Sequence, residues 1–136
     1  MKSRDTLIRL KRFQVEEKRR RVAQIELMIA EFERMANDLS REIAAEEQKA
    51  GISDPAHFAY PTYARAAAQR RDNLRQSAEN LHGQLEDAKA ELGEAFEQLK
   101  KAENLDDRER SAERETPREQ AVLSPLGAPR TVRPTA

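Results

Sequence analysis

Two histidines, His57 and His82, are the side chains of this sequence best suited to metal ligation or to proton transfer near neutral pH. The chain has no cysteine to complete a thiolate site, and neither histidine is read as part of a Glu-x-x-His or His-Glu-x-x-His spacing for a metal. Two histidines without thiols or positioned carboxylates rarely hold a metal, so both are read as packing or solvent-facing residues. No glycine-rich run is built to cradle a phosphate, and no nucleophile elbow presents a serine. Carboxylates are plentiful, but on an amphipathic helix they form a solvated face. The expectation is a protein with no catalytic residues, no cofactor and no metal.

The chemistry that remains is that of recognition. Lys18, Arg19, Arg20 and Arg21 form a basic run, with Arg9, Lys11 and Arg12 upstream. Such a run fits nucleic-acid phosphates, yet no aromatic platform is interleaved with it and the formal net charge of the chain is +0. It fits an acidic protein surface equally well, where charge steers the encounter. A third possibility is a solvated end balanced by acidic residues later in the chain. Leu10, Phe13 and Leu27 fall on the side of their helix opposite its apolar seam, where pairing with one other helix leaves them uncovered. Phe58, Tyr60 and Tyr63 gather three of the chain's six aromatic residues within six positions at the hinge. They either cap the end of the helix pair or form a recognition tip.

These residues must be positioned by two helices. Val22, Ile25, Ile29, Phe32, Ala36, Leu39 and Ile43 recur at alternating intervals of three and four, the signature of a coiled-coil strand. The seam extends back through Lys18, Val15 and Lys11 to Ile8, and no proline interrupts it. Helix one is therefore expected over about 4–50. Gly51 supplies the conformation that ends helices, and Pro55 and Pro61 restrict the backbone beyond it, which makes 51–61 the hinge. Ser53 or Asp54, followed by Pro55, is suited to start one short helical turn there. A second seam runs through Ala64, Ala67, Arg71, Leu74, Ala78, Leu81, Leu85, Ala88, Leu92, Ala95, Leu99 and Ala102, predicting helix two over about 61–112. Beyond it Pro117, Pro125, Gly127, Pro129 and Pro134 punctuate a stretch with no periodicity, and 116–136 is expected to be a disordered tail.

Composition agrees with this outline. Of 136 residues, 37% are charged and 4% aromatic, a balance suited to a long two-helix coiled coil rather than to a thick globular core. No apolar run is long enough to span a bilayer and the N-terminus lacks a signal-peptide core, so a cytoplasmic protein is expected, reaching a membrane only through partners. The neutral net charge conceals an asymmetry: Met1 to Arg21 holds nine basic and three acidic residues, whereas Leu74 to Asp107 holds four basic and nine acidic. If the chain folds back at about residue 56, these signs align, and residue i meets roughly residue 113 minus i. Lys11 and Lys18 then approach the stretch from Glu94 to Lys101, and Glu46 approaches Arg70 and Arg71. A short hinge closes at little entropic cost, which favours a monomeric antiparallel hairpin over two extended chains. The fold class is all-α, a long antiparallel two-helix coiled-coil hairpin over 4–110.

The opening Leu7-Ile8-Arg9-Leu10-Lys11-Arg12-Phe13-Gln14-Val15-Glu16-Glu17-Lys18, running into a long heptad helix, resembles the FliJ family of flagellar export proteins. The hinge Gly51-Ile52-Ser53-Asp54-Pro55-Ala56-His57-Phe58-Ala59-Tyr60-Pro61, together with Arg70-Arg71-Asp72-Asn73-Leu74 beyond it, is similar to the alphaproteobacterial branch of that family. The likeness covers about residues 4–105. It implies an antiparallel coiled coil similar in shape to the central stalk of rotary ATPases, acting in the flagellar type III export apparatus at the base of the flagellum. The end that carries both termini is implied to enter a hexameric export ATPase and promote its assembly and activity, which makes Leu7 to Arg21 the ATPase-side candidate. The body is implied to contact the cytoplasmic domain of the export gate and export chaperones. Two other readings are carried beside it: a homodimeric coiled-coil scaffold of another assembly, and a nucleic-acid-binding coiled coil, which would bind in a salt-dependent way.

Overall fold

The computed structural model describes the backbone of residues 2–127 and the side chains of residues 3–114. Two helices, α1 (Lys2–Ala50) and α2 (Thr62–Gly127), pack antiparallel as an all-α helical hairpin. The chain divides into two compact units, one formed by Val15–Glu94 and the other by Met1–Gln14 with Ala95–Ala136.

In the Val15–Glu94 unit the turn between the helices arises from local chemistry. Gly51 takes a left-handed φ of 70°, which residues with a Cβ adopt only under strain. That conformation turns its amide back to Gln48 O at 3.3 Å and the amide of Ile52 back to Glu47 O at 3.2 Å, the paired bonds of a Schellman cap. Ile52 then packs against Ile43, Tyr60, Ala64 and Ala67, closing the end of the helix pair. Two successive tight turns complete the connection, with His57 N bonded to Asp54 O at 3.0 Å and Tyr60 N to His57 O at 3.1 Å. The short helical turn expected after Asp54 is thus replaced by reverse turns. Asp54 accepts from the amide of Ala56 and satisfies the chain locally without a helix. Pro61 caps α2, its carbonyl accepting the amide of Arg65 at 3.1 Å.

The seam is where the 3,4 spacing placed it. Ile25, Ile29, Leu81, Leu85 and Ala88 form one buried cluster, with Val22 and Phe32 packed against it. Ile43, Ala64 and Ala67 form the second, at the turn, and Ala36 and Ala78 are also buried. Small side chains in α2 face larger ones in α1, which lets the backbones approach closely. Across this unit Lys18 reaches Glu91, Arg75 reaches Ser40 and Tyr63 reaches Glu42, so the pairs straddle the register estimated from the sequence. The pairing foreseen for Glu46 is not made: Glu46 lies 3.8 Å from Lys49 of its own helix, and Arg71 turns to Asp72. Near-neighbour partners on the same helix are reached at less conformational cost than cross-helix ones.

In the other unit Ile8 and Ala95 are buried, and the seam of α2 continues one step beyond Ala102 to a buried aspartate, Asp106. Lys11 bonds to Gln98 at 2.9 Å rather than to a glutamate. Helix α2 does not stop near 112 but runs to Gly127. Up to Glu113 the helix is supported by the Asp106–Arg110 pair one turn apart at 3.1 Å and by Glu109 and Glu113, both held by Arg4. The tail expected over 116–136 coincides as far as 127 with this helix, and 128–136 lie outside the described residues.

Candidate partner-binding surfaces

Phe58 and Tyr60, two residues apart in the turn, have opposite fates. Phe58 is 95% exposed, its ring stacked on His57 with centroids 4.8 Å apart. Tyr60 is 6% exposed and belongs to the core cluster at the turn, its hydroxyl donating to Glu47 Oε2 at 2.8 Å and its ring lying under the Arg65 guanidinium at 5.5 Å. Tyr60 therefore caps the helix pair and offers no ring face to a partner, while Phe58 offers nearly all of its own. Tyr63 is exposed along its ring and donates to Glu42 at 2.9 Å. The hydrogen bonds to Glu47 and Glu42 raise both phenols above their usual range. His57 is part of the turn's own bonding, since its Nδ1 accepts the amide of Ala59 at 3.0 Å.

On α1, Leu10, Phe13 and Leu27 are all exposed, Leu27 to 70%. Leu10 and Phe13 belong to the terminal unit and Leu27 to the Val15–Glu94 unit. The periodicity did not single out five further exposed apolar residues, Leu7, Met28, Met35, Phe96 and Leu105. Leu7, Met28 and Met35 repeat at multiples of seven immediately before the seam positions Ile8, Ile29 and Ala36. That spacing was the available signal, because a flanking position is covered only if the facing helix supplies a long side chain.

Within the basic run, Arg19 lies 3.8 Å from Glu16 one turn back. Lys18, Arg20 and Arg21 border a shallow groove closed on the α2 side by Gln84, Asp87 and Glu91. Lys18 Nζ sits 2.7 Å from Glu91 Oε1. The bond from Lys18 pulls the Glu91 carboxyl below its ordinary value of 4.5, with Arg21 adding to the effect, and Glu91 pushes Lys18 above 10.5. With Glu91 lowered, the pair contributes stability above pH 4.5 and loses it as the pH falls through the lowered value. Lys18 sustains its side until the pH rises through a value above 10.5. The melting temperature of the wild type should thus exceed that of Glu91→Gln at neutral pH, by a margin as small as exposed pairs give, and the gap should close in acid. A gap that persisted well below the carboxylate range would show that charge is not its origin.

Glu79 precedes His82 at a Glu-x-x-His spacing that the reading of two isolated histidines overlooked, and both line a groove with Glu33. Among the described residues no group of three or more His, Cys, Asp or Glu is placed to hold a metal ion. None of the described helices is long and apolar enough to cross a membrane. No protein-family model, no curated protein and no solved structure matches the chain.

Proposed function

We propose that this chain is a non-enzymatic, monomeric stalk or adaptor of the flagellar type III protein export apparatus. In this reading it binds and stimulates the export ATPase ring and couples that ring to the cytoplasmic domain of the export gate and to export chaperones. It acts in the cytoplasm at the flagellar base and meets the membrane only through those partners. The observation that carries the reading is the open face at the start of α1: Leu10 and Phe13 are exposed although their neighbour Ile8 is buried. This face lies in the Leu7–Arg21 stretch that bears the resemblance to the FliJ family, a stretch whose sequence also holds Arg19, Arg20 and Arg21. Half-exposed apolar side chains suit an apolar partner surface, and the basic run suits an acidic one.

The test is to mix the purified chain with the flagellar export ATPase of the same organism and monitor ATP hydrolysis and ring formation. Stimulation is expected, and Phe13→Ala is expected to weaken it about tenfold while leaving the melting temperature within about 2 °C of wild type. A triple reversal, Arg19→Glu, Arg20→Glu and Arg21→Glu, should abolish it. No stimulation and no complex would remove the export reading and favour the scaffold. A large loss of stability in Phe13→Ala would make Phe13 a core residue and invalidate this face.

A further inference from the structure

The two units differ in what closes each of them. Both apolar clusters lie in Val15–Glu94. Beside Ile8 and Ala95 the terminal unit also buries charge. Arg4 continues the α1 seam one step before Ile8, and Asp106 continues the α2 seam one step after Ala102, so the layer where a coiled coil ordinarily pairs apolar residues contains a guanidinium and a carboxylate.

Arg4 is the centre of a network. Its side chain is 15% exposed and spans three carboxylates, with Nη1 at 2.7 Å from Glu109, Nη2 at 3.0 Å from Glu113 and Nε at 3.5 Å from Asp106 Oδ1. The Asp106 side chain is 9% exposed, and its Oδ2 lies 3.1 Å from Arg110 Nε. Arg110 in turn reaches Asp5 at 3.5 Å, and Arg12 reaches Glu103 at 3.2 Å. One oxygen is left short: Asp106 Oδ1 is buried, near Arg4, and without hydrogen-bond geometry to any donor among the described residues. A buried ion pair must offset the desolvation of both charges, and one with an unsatisfied oxygen does so incompletely.

We propose that the terminal unit is closed by a charge latch centred on Arg4 and Asp106 and opens by itself, with the Val15–Glu94 unit intact, as ionic strength rises. Three of the latch's carboxylates, Glu103, Glu109 and Glu113, are about half exposed, so mobile ions reach the outer pairs. Screening shortens from about 10 Å at 0.1 M salt to about 3 Å at 1 M, comparable with the pair distances themselves. Apolar contact is not weakened by that change, so the seam of the other unit keeps its stability. The inference is independent of the export reading, since it concerns only how the chain closes on itself.

Amide hydrogen exchange on the full chain, read by mass spectrometry at about 0.05 M and about 1 M sodium chloride, tests it. Exchange over 3–14 and 95–114 is expected to quicken about tenfold at the higher salt while 15–94 is unchanged. The double variant Arg4→Leu/Asp106→Leu rebuilds the layer as an apolar one and should slow exchange in the terminal unit and remove most of its salt response. The single variant Arg4→Glu should leave that unit open at both salt concentrations, with 15–94 still protected as the internal reference. Uniform acceleration along the whole chain, no acceleration at all, or an undiminished salt response in the Leu/Leu variant would each overturn the latch.

Discussion

Leu81→Asp is expected to abolish the cooperative melt of the helix pair and to collapse its far-ultraviolet helical signal. Leu81 is 7% exposed and sits among Ile25, Ile29 and Leu85. Replacing it removes a packed aliphatic side chain and puts a carboxylate into an apolar layer. The two effects together cost about 5 kcal/mol, a large part of the stability of a small domain. Leu27→Asp is the matched control: the same substitution at a residue exposed to 70% should leave the melt within the range of ordinary surface changes. Circular dichroism during thermal denaturation separates the two. If Leu81→Asp melted like wild type, the α2 seam would be out of register by at least one position.

The second large effect is expected at the turn. Tyr60→Ala should lower the melting temperature by on the order of 10 °C, whereas Phe58→Ala, two residues away, should leave it within about 1 °C. The contrast rests on burial. The Tyr60 ring fills the cluster with Ile43, Ala64 and Ala67, and those alanines have no volume with which to fill the space it would vacate. Its loss also deprives Glu47 Oε2 of a donor at 2.8 Å. Tyr60→Phe isolates that last contribution and should fall between the two. Comparable melts for Tyr60→Ala and Phe58→Ala would mean that the turn contributes little to closing the helix pair.

These two predictions also mark what could be read from the residues alone. Leu81 and its partners were legible because a seam is a repeated constraint: Ile25, Ile29, Leu85 and Ala88 agree on one face, and a single misplaced residue would not hide the period. The exposure of Leu10, Phe13 and Leu27 came from the same geometry. Phe58 and Tyr60 were not separable, because a turn has no period. Which ring goes inward depends on where the Gly51 cap aims the chain and on Glu47 waiting to accept a hydroxyl. Asp106 was missed for another reason. The seam seemed to end where a charge entered it, and of the two guanidiniums beside that charge only Arg110 is near in sequence, while Arg4 is about a hundred residues away. Glu46 and Arg71 failed as a cross-helix pair because long side chains at partly solvated positions choose among several neighbours of nearly equal energy.

The short turn also decides how the chain is threaded. Tyr60 and Glu47 are 13 residues apart, Arg75 and Ser40 35, Lys18 and Glu91 73, and Arg4 and Glu113 109. Each doubling of a loop adds about 0.6 kcal/mol of closure entropy, so the nearest contact is the one the open chain meets most readily. Once it is made, every later pair closes only the residues added since the one before, 22, 38 and 36 in turn, and not its whole separation. A molecule whose ends are the most distant residues in sequence thereby becomes, in the order of its contacts, a local one, with the low effective contact order that speeds folding.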